Sequence, residues 1–221
     1  VYTILQNCSA TSDAFPKTFT SYFDILDFFT SHLAGLETTI RSSGDNVLPN
    51  IYCSILAVIS VPLYYINKEI KLKEKIAYSS LLIFFIISFN SNVANFIWHA
   101  FHMPNDLPYR FSYMYVFIFL IMAFKGLQKS DKINYKDVAY IGMAIVFIII
   151  VMQKFATNKM SELTIYFSLA ATVIWTFALL AIKNNKLSKS IVGVILICLT
   201  FSESIISGCV SYKFTQPQSP Y

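Results

Sequence analysis

The residues best equipped for chemistry lie between Asn95 and Ser112, where two histidines, a tryptophan, two prolines, an arginine and two asparagines fall within 18 positions. Arg110 follows Pro108 at the start of an apolar segment. The helix dipole makes that end positive, so a cation there is locally unfavourable and calls for an anionic partner. A guanidinium grips phosphate or carboxylate through paired hydrogen bonds, and helix-start amides bind anions as well. The expected partner is a lipid-linked phosphate or an internal acid, the plainer alternative being an interfacial arginine that snorkels to water. The internal acid is Glu203, a carboxylate inside the last apolar run among Ser202, Ser204 and Ser207, with Arg110 or His99 as its expected partner. His99 is read as binding phosphate or polarising a leaving group, with His102 interfacial. His99, His102 and Asp106 together offer a divalent-metal set, but Met103-Pro104 breaks any simple helix between them, so a metal is possible and not evident. Asn105, Tyr109 and Ser112, with Trp98, are candidates for lining a cavity or binding a sugar. Trp98, Tyr109, Tyr113 and Tyr115 suit stacking on a ring, and equally an ordinary aromatic belt at the membrane interface.

A second group leads up to this stretch. Ile76–Phe89 is a clean apolar run of 14 residues, too short to cross a bilayer unless its helix continues through Asn90-Ser91-Asn92-Val93-Ala94-Asn95. In such a helix Ser88, Ser91, Asn92, Asn95 and His99 share one face. Polar side chains at membrane depth either bond neighbouring helices or line a watered cavity. A cavity wall rising to His99, with Asn92 and Asn95 on it, is the expectation.

The elements that must position these residues are apolar. Of 221 residues, 56% are hydrophobic and only 13% charged, about half the charged share of a soluble domain. The fold class expected is an all-α polytopic membrane bundle. Six segments fit: about Ile51–Ile66, Ile76–Trp98, Tyr109–Leu127, Val138–Met152, Leu163–Ile182 and Ser190–Gly208. Residues 1–50 form an outer segment, 51–208 the bundle and 209–221 the start of an outer tail. From Thr18 to Thr39, apolar positions three and four apart predict an amphipathic helix with Asp24, Asp27 and Ser31 on its solvated face. The alternate loops 67–75, 125–137 and 183–189 carry eleven lysines against four acids, net +7, while the opposite side nets −2. The lysine loops are therefore placed inside and both ends outside. Topology accounts for the basic balance, which leaves no case for nucleic acid. Cys8, Cys53, Cys198 and Cys209 show no ligand-like spacing, and a Cys8–Cys209 disulfide is conceivable without support from it. With no Met at position 1 and no signal peptide, the chain reads as an internal piece of a longer protein.

Several stretches resemble the YfhO family of bacterial membrane proteins: Leu48-Pro49-Asn50-Ile51-Tyr52-Cys53, Lys73-Glu74-Lys75, Trp98-His99 with Pro104-Asn105, and Pro108-Tyr109-Arg110-Phe111-Ser112. The resemblance covers residues 48–208 and is most specific from Trp98 to Ser112. That family is similar to the GT-C glycosyltransferases. The resemblance implies transfer of a sugar from a polyprenyl-phosphate donor to a cell-envelope polymer, teichoic-acid-like, on the outer face of a bacterial plasma membrane. It implies His99 and Arg110 at the donor phosphate, and a catalytic acid in an outer loop upstream. No residue here is a convincing catalytic base. Two rivals stand beside the enzyme: a lipid-sugar flippase or transporter, and a non-catalytic scaffold for envelope assembly.

Overall fold

The computed structural model describes residues 11–12, 15–36, 47–101, 103–104, 109–128, 133–157, 160–183 and 189–214. Among these are eight helices: α1 (Ile25–Thr30), α2 (Ile55–Ile66), α3 (Leu72–Phe89), α4 (Asn92–Trp98), α5 (Ser112–Gln128), α6 (Tyr135–Phe155), α7 (Glu162–Lys183) and α8 (Lys189–Phe214). Two two-residue strands, β1 (Thr11–Ser12) and β2 (Met103–Pro104), pair antiparallel. The protein is an all-α membrane helix bundle.

Helix α2 is the axis of the bundle. It is apolar nearly all round, as suits a helix enclosed along most of its length, with only Tyr65 and Ile66 at its end exposed. Ala57, Val61 and Tyr64 face one core with α3 and α5, while Ile55, Ile59 and Leu63 face a second with α6 and α7. Contact with α5 is close because Gly126 has no side chain: a Cβ there would overlap the Ser60 carbonyl oxygen and come within 2.9 Å of the Tyr64 nitrogen. Small residues let membrane helices approach in this way. The lysine-rich ends are joined by Lys125 Nζ to Glu74 Oε1 at 2.6 Å. Lys75 Nζ caps the last turn of α2 by donating to the Tyr65 and Asn67 carbonyls, at 2.6 and 2.7 Å.

Six spans become a different set. Tyr135–Phe155, Glu162–Ile182 and Ser190–Tyr212 are long and apolar enough to cross a membrane. α3 and α4 pass that test only as a pair bent by 101°, and α2 and α5 are shorter apolar helices. Twelve residues of α2 rise only about 18 Å; the chain ahead of it, from Val47 to Ser54, is non-helical yet holds Val47, Leu48 and Ile51 in the core. Backbone of that kind is tolerated at membrane depth only where protein or a cavity surrounds it.

The amphipathic helix expected over Thr18–Thr39 is confined to Ile25–Thr30, and its expected faces hold only in part: Asp24 is exposed and Phe23 and Leu33 are buried as expected. Asp27 and Ser31 are buried, whereas Phe19, Ile25 and Phe29 are exposed. The cause lies on the other side of the interface. Asn90 Oδ1 accepts from the Tyr22 and Phe23 amides at 2.9 Å each, and Asn92 takes the Thr20 amide at 3.1 Å and donates to the Thr18 carbonyl at 2.7 Å. These bonds hold residues 18–23 extended as a strap, using the backbone groups a helix would need. Residues 37–39 lie outside the described residues.

Candidate functional site

The continuous helix expected from Ser88 to His99 does not form. α3 stops at Phe89, Asn90 serves as its C-cap, and Ser91 starts a new helix by accepting the Ala94 amide at 3.2 Å. Serine and asparagine prefer such caps to helix interiors. Two anomalies follow α4: Ala100 and Phe101 both have positive φ, 56° and 65°. Neither is glycine, so each stores strain on the order of 1 kcal/mol or more. The Phe101 amide nevertheless closes onto the Phe96 carbonyl at 2.9 Å, ending α4 abruptly.

That ending fixes His99. Its Nδ1 lies 2.8 Å from the Asn95 carbonyl oxygen. A carbonyl only accepts, so Nδ1 carries a hydrogen, which in the neutral ring makes Nε2 the acceptor. Nε2 is buried and has no hydrogen-bond partner among the described residues, and neither does Asn95 Oδ1. Arg110 is exposed, one residue before Phe111, whose ring stacks on Trp98 at 4.6 Å and meets the His99 ring edge-on at 6.5 Å. Phe111 thus links the His99 ring to the residue next to Arg110 in the chain.

The other candidates have different employment. Trp98 is clasped by Phe111 and Phe85, the latter at 5.9 Å. Tyr109 is buried, packs edge-on against Phe89 and donates its hydroxyl to the Val47 carbonyl at 2.9 Å. Asn92 holds the strap, and the Ser112 amide bonds the Tyr109 carbonyl at 3.0 Å as α5 begins. Asn105, His102 and Asp106 lie outside the described residues, as does Cys8, while Cys209 is free. Among the described residues no three His, Cys, Asp or Glu side chains gather as a metal centre requires.

Glu203 is not the partner of Arg110 or His99. Its Oε1 accepts from the Tyr52 hydroxyl at 2.5 Å and the Ile55 amide at 2.7 Å; its Oε2 accepts from the Ser54 hydroxyl at 2.7 Å and the Trp175 indole at 2.8 Å. Four donors converge on a carboxylate that is 6% exposed. Glu203 lies 14 residue steps into α8, about 21 Å from the lysine end of that helix. It therefore sits at membrane depth and caps α2 from another helix, where the dipole favours negative charge. Ser54, at φ 110°, completes the cap by accepting the Leu56 amide at 3.1 Å. The sequence showed that Glu203 needed a partner but misassigned it. Tyr52, Ser54 and Trp175 escaped notice because hydroxyl and indole donors carry no charge to betray them. Tyr52-Cys53-Ser54 ahead of a helix starting at Ile55 was the available signal.

A family model for the bacterial membrane protein YfhO matches residues 1–221. The chain belongs to the YfhO family. The match extends the resemblance seen in residues 48–208 over the strap and α1, which in this YfhO protein are built into the bundle. No curated protein and no solved structure matches the chain.

Proposed function

We propose that this YfhO-family chain forms part of a GT-C-like membrane glycosyltransferase. Its substrate is a sugar carried on polyprenyl phosphate, its acceptor a cell-envelope polymer of teichoic-acid type, and its site faces outward from a bacterial plasma membrane. The lysine-rich loops support that orientation, with both ends of the chain on the outer side. The observation that carries the reading is the 101° bend between α3 and α4. It ends the long helix ahead of His99, whose Nε2 is unengaged and whose ring meets Phe111, the residue after exposed Arg110.

That pair suits a leaving phosphate. Charge grows on phosphate oxygen as the glycosidic bond breaks, and fixed donors near it lower the barrier. Arg110 supplies permanent charge in a forked geometry. In its imidazolium form His99 donates from Nε2 to the same oxygen. Glu203, committed to four donors, is not a free base.

Arg110→Ala and His99→Ala in the full-length protein are expected to lower sugar transfer by roughly 10²-fold each when donor is supplied directly on the outer side. Wild-type rates in both would sink the phosphate site. The bent pair also favours a second reading, since broken helices near the midplane mark many transporters. Loss of activity only when donor must first cross the membrane would select a lipid-sugar translocator.

A further inference from the structure

Outward from Glu203, a cavity of about 140 Å³ lies between residues 31–36, residues 49–52 and α8. Its polar lining is Ser31, Asn50, Tyr52, Ser207 and Ser211. None of the described residues of the His99–Arg110 turn lines it.

Its construction is specific. Glu203, Ser207 and Ser211 are spaced i, i+4 and i+8, one row on α8, so the two serines stand about 6 and 12 Å outward of the carboxylate. Tyr52 donates to Glu203 and has Ser207 beside its phenol, so the floor of the cavity is tied to the four-donor cluster. Ser31 is 1% exposed, and its hydroxyl has no hydrogen-bond partner among the described residues. A buried hydroxyl left unpaired costs stability unless something arrives to bond it.

The chemistry of the lining selects the occupant. Hydroxyls, a phenol and a carboxamide all donate and accept, as the hydroxyls of a polyol do. Among the described residues no charged side chain lines the cavity, so none of these compensates a phosphate. The volume is close to the roughly 150 Å³ of a protein cavity known to hold one benzene ring. We propose that this cavity binds a neutral, hydroxyl-bearing six-membered ring, with Ser31, Tyr52 and Ser207 as its hydrogen-bonding walls.

The ring can belong to a lipid headgroup or to a free sugar, and thermal unfolding of the full-length protein in phosphatidylglycerol nanodiscs separates the two. One arm adds methyl β-glucoside to the buffer; the other places glucosyl-diacylglycerol in the bilayer, against unglycosylated diacylglycerol as control. A midpoint rise of about 2 °C or more in at least one arm is expected, since a ligand that binds only the folded state stabilises it. A rise with methyl glucoside assigns the free sugar, and a rise with the glycolipid alone assigns the headgroup. Ser31→Ala removes a hydroxyl that bonds nothing in the empty protein, so its own midpoint is expected unchanged or higher while the ligand-induced rise disappears. Ser211→Ala, at the partly exposed rim, is expected to weaken the rise with its own midpoint intact. No rise in either arm, an equal rise with plain diacylglycerol, or a full rise retained in Ser31→Ala would each overturn the proposal.

Discussion

At the scale of single residues, the charged and polar groups in the membrane are arranged by hydrogen-bond supply. Glu203 illustrates this, since every atom bonded to its carboxylate is a donor. Glu203→Gln keeps the shape but turns an NH₂ toward two of those donors, whichever oxygen it replaces. The expected loss is on the order of 1–3 kcal/mol, the cost of a buried polar group left unpaired, read as a lowered unfolding midpoint in detergent; an unchanged midpoint would show that the cluster contributes no stability. His32, in the segment after α1 and outside the spanning helices, is buried with Nε2 2.9 Å from the Tyr115 hydroxyl. Burial pushes its imidazole down to about 4, the Phe29 and Phe28 carbonyls opposing the shift only in part. The unfolded chain, near 6.5, therefore takes up a proton before the folded one. Stability is expected to fall as pH drops from about 6.5 to about 4, by on the order of 3 kcal/mol in all, and His32→Gln should flatten that part of a stability–pH profile.

At the scale of elements, what could be read in advance was the apolar content of each segment, and what could not was where the backbone bends. α6, α7 and α8 match their hydrophobic runs because a long apolar run specifies a helix without outside help. The break at Asn90-Ser91 hid inside a pattern with good helical periodicity. Ser88, Ser91, Asn92 and Asn95 do recur on one helical face, but the strap supplied Asn90 and Asn92 with backbone partners 67 to 74 residues away, which no local pattern reports. The same competition left α1 short. His99 and Arg110 were legible as types, whereas the tautomer of His99 depends on the Asn95 carbonyl and needed coordinates. The strap gives the third prediction. Asn90→Ala with Asn92→Ala should free residues 18–23, and limited proteolysis from the outer side should cut within 15–36 at least tenfold faster, as expected when local opening costs about 1.4 kcal/mol less. Unchanged cleavage would mean that the aromatic contacts of Phe23 and Phe28 suffice to hold the segment.

At the scale of the whole molecule, charge and packing agree on a polarised bundle. Lys125 meets Glu74 between the loops that follow α2 and α5, and elsewhere the Thr157 hydroxyl bonds Asp24 at 2.8 Å beside the strap. Arg110→Cys should be labelled by a membrane-impermeant maleimide added to intact cells, and Lys68→Cys only after lysis. The reverse pattern would invert the proposed orientation and move the His99–Arg110 pair to the wrong side for a lipid-sugar donor. Packing is uneven, however. Along α8, Val194, Ile197, Phe201 and Ile205 are exposed, and its inward anchors include buried Glu203 and Ser207. That unevenness has a consequence for biogenesis. The ribosome releases α2 nearly 150 residues before it releases Glu203, and through that interval Tyr52, Ser54, the Ile55 amide and later Trp175 are in hydrocarbon without their acceptor. The nascent bundle must shelter those donors with water, lipid headgroups or the translocon until α8 arrives, so a helix made later licenses an earlier one to settle.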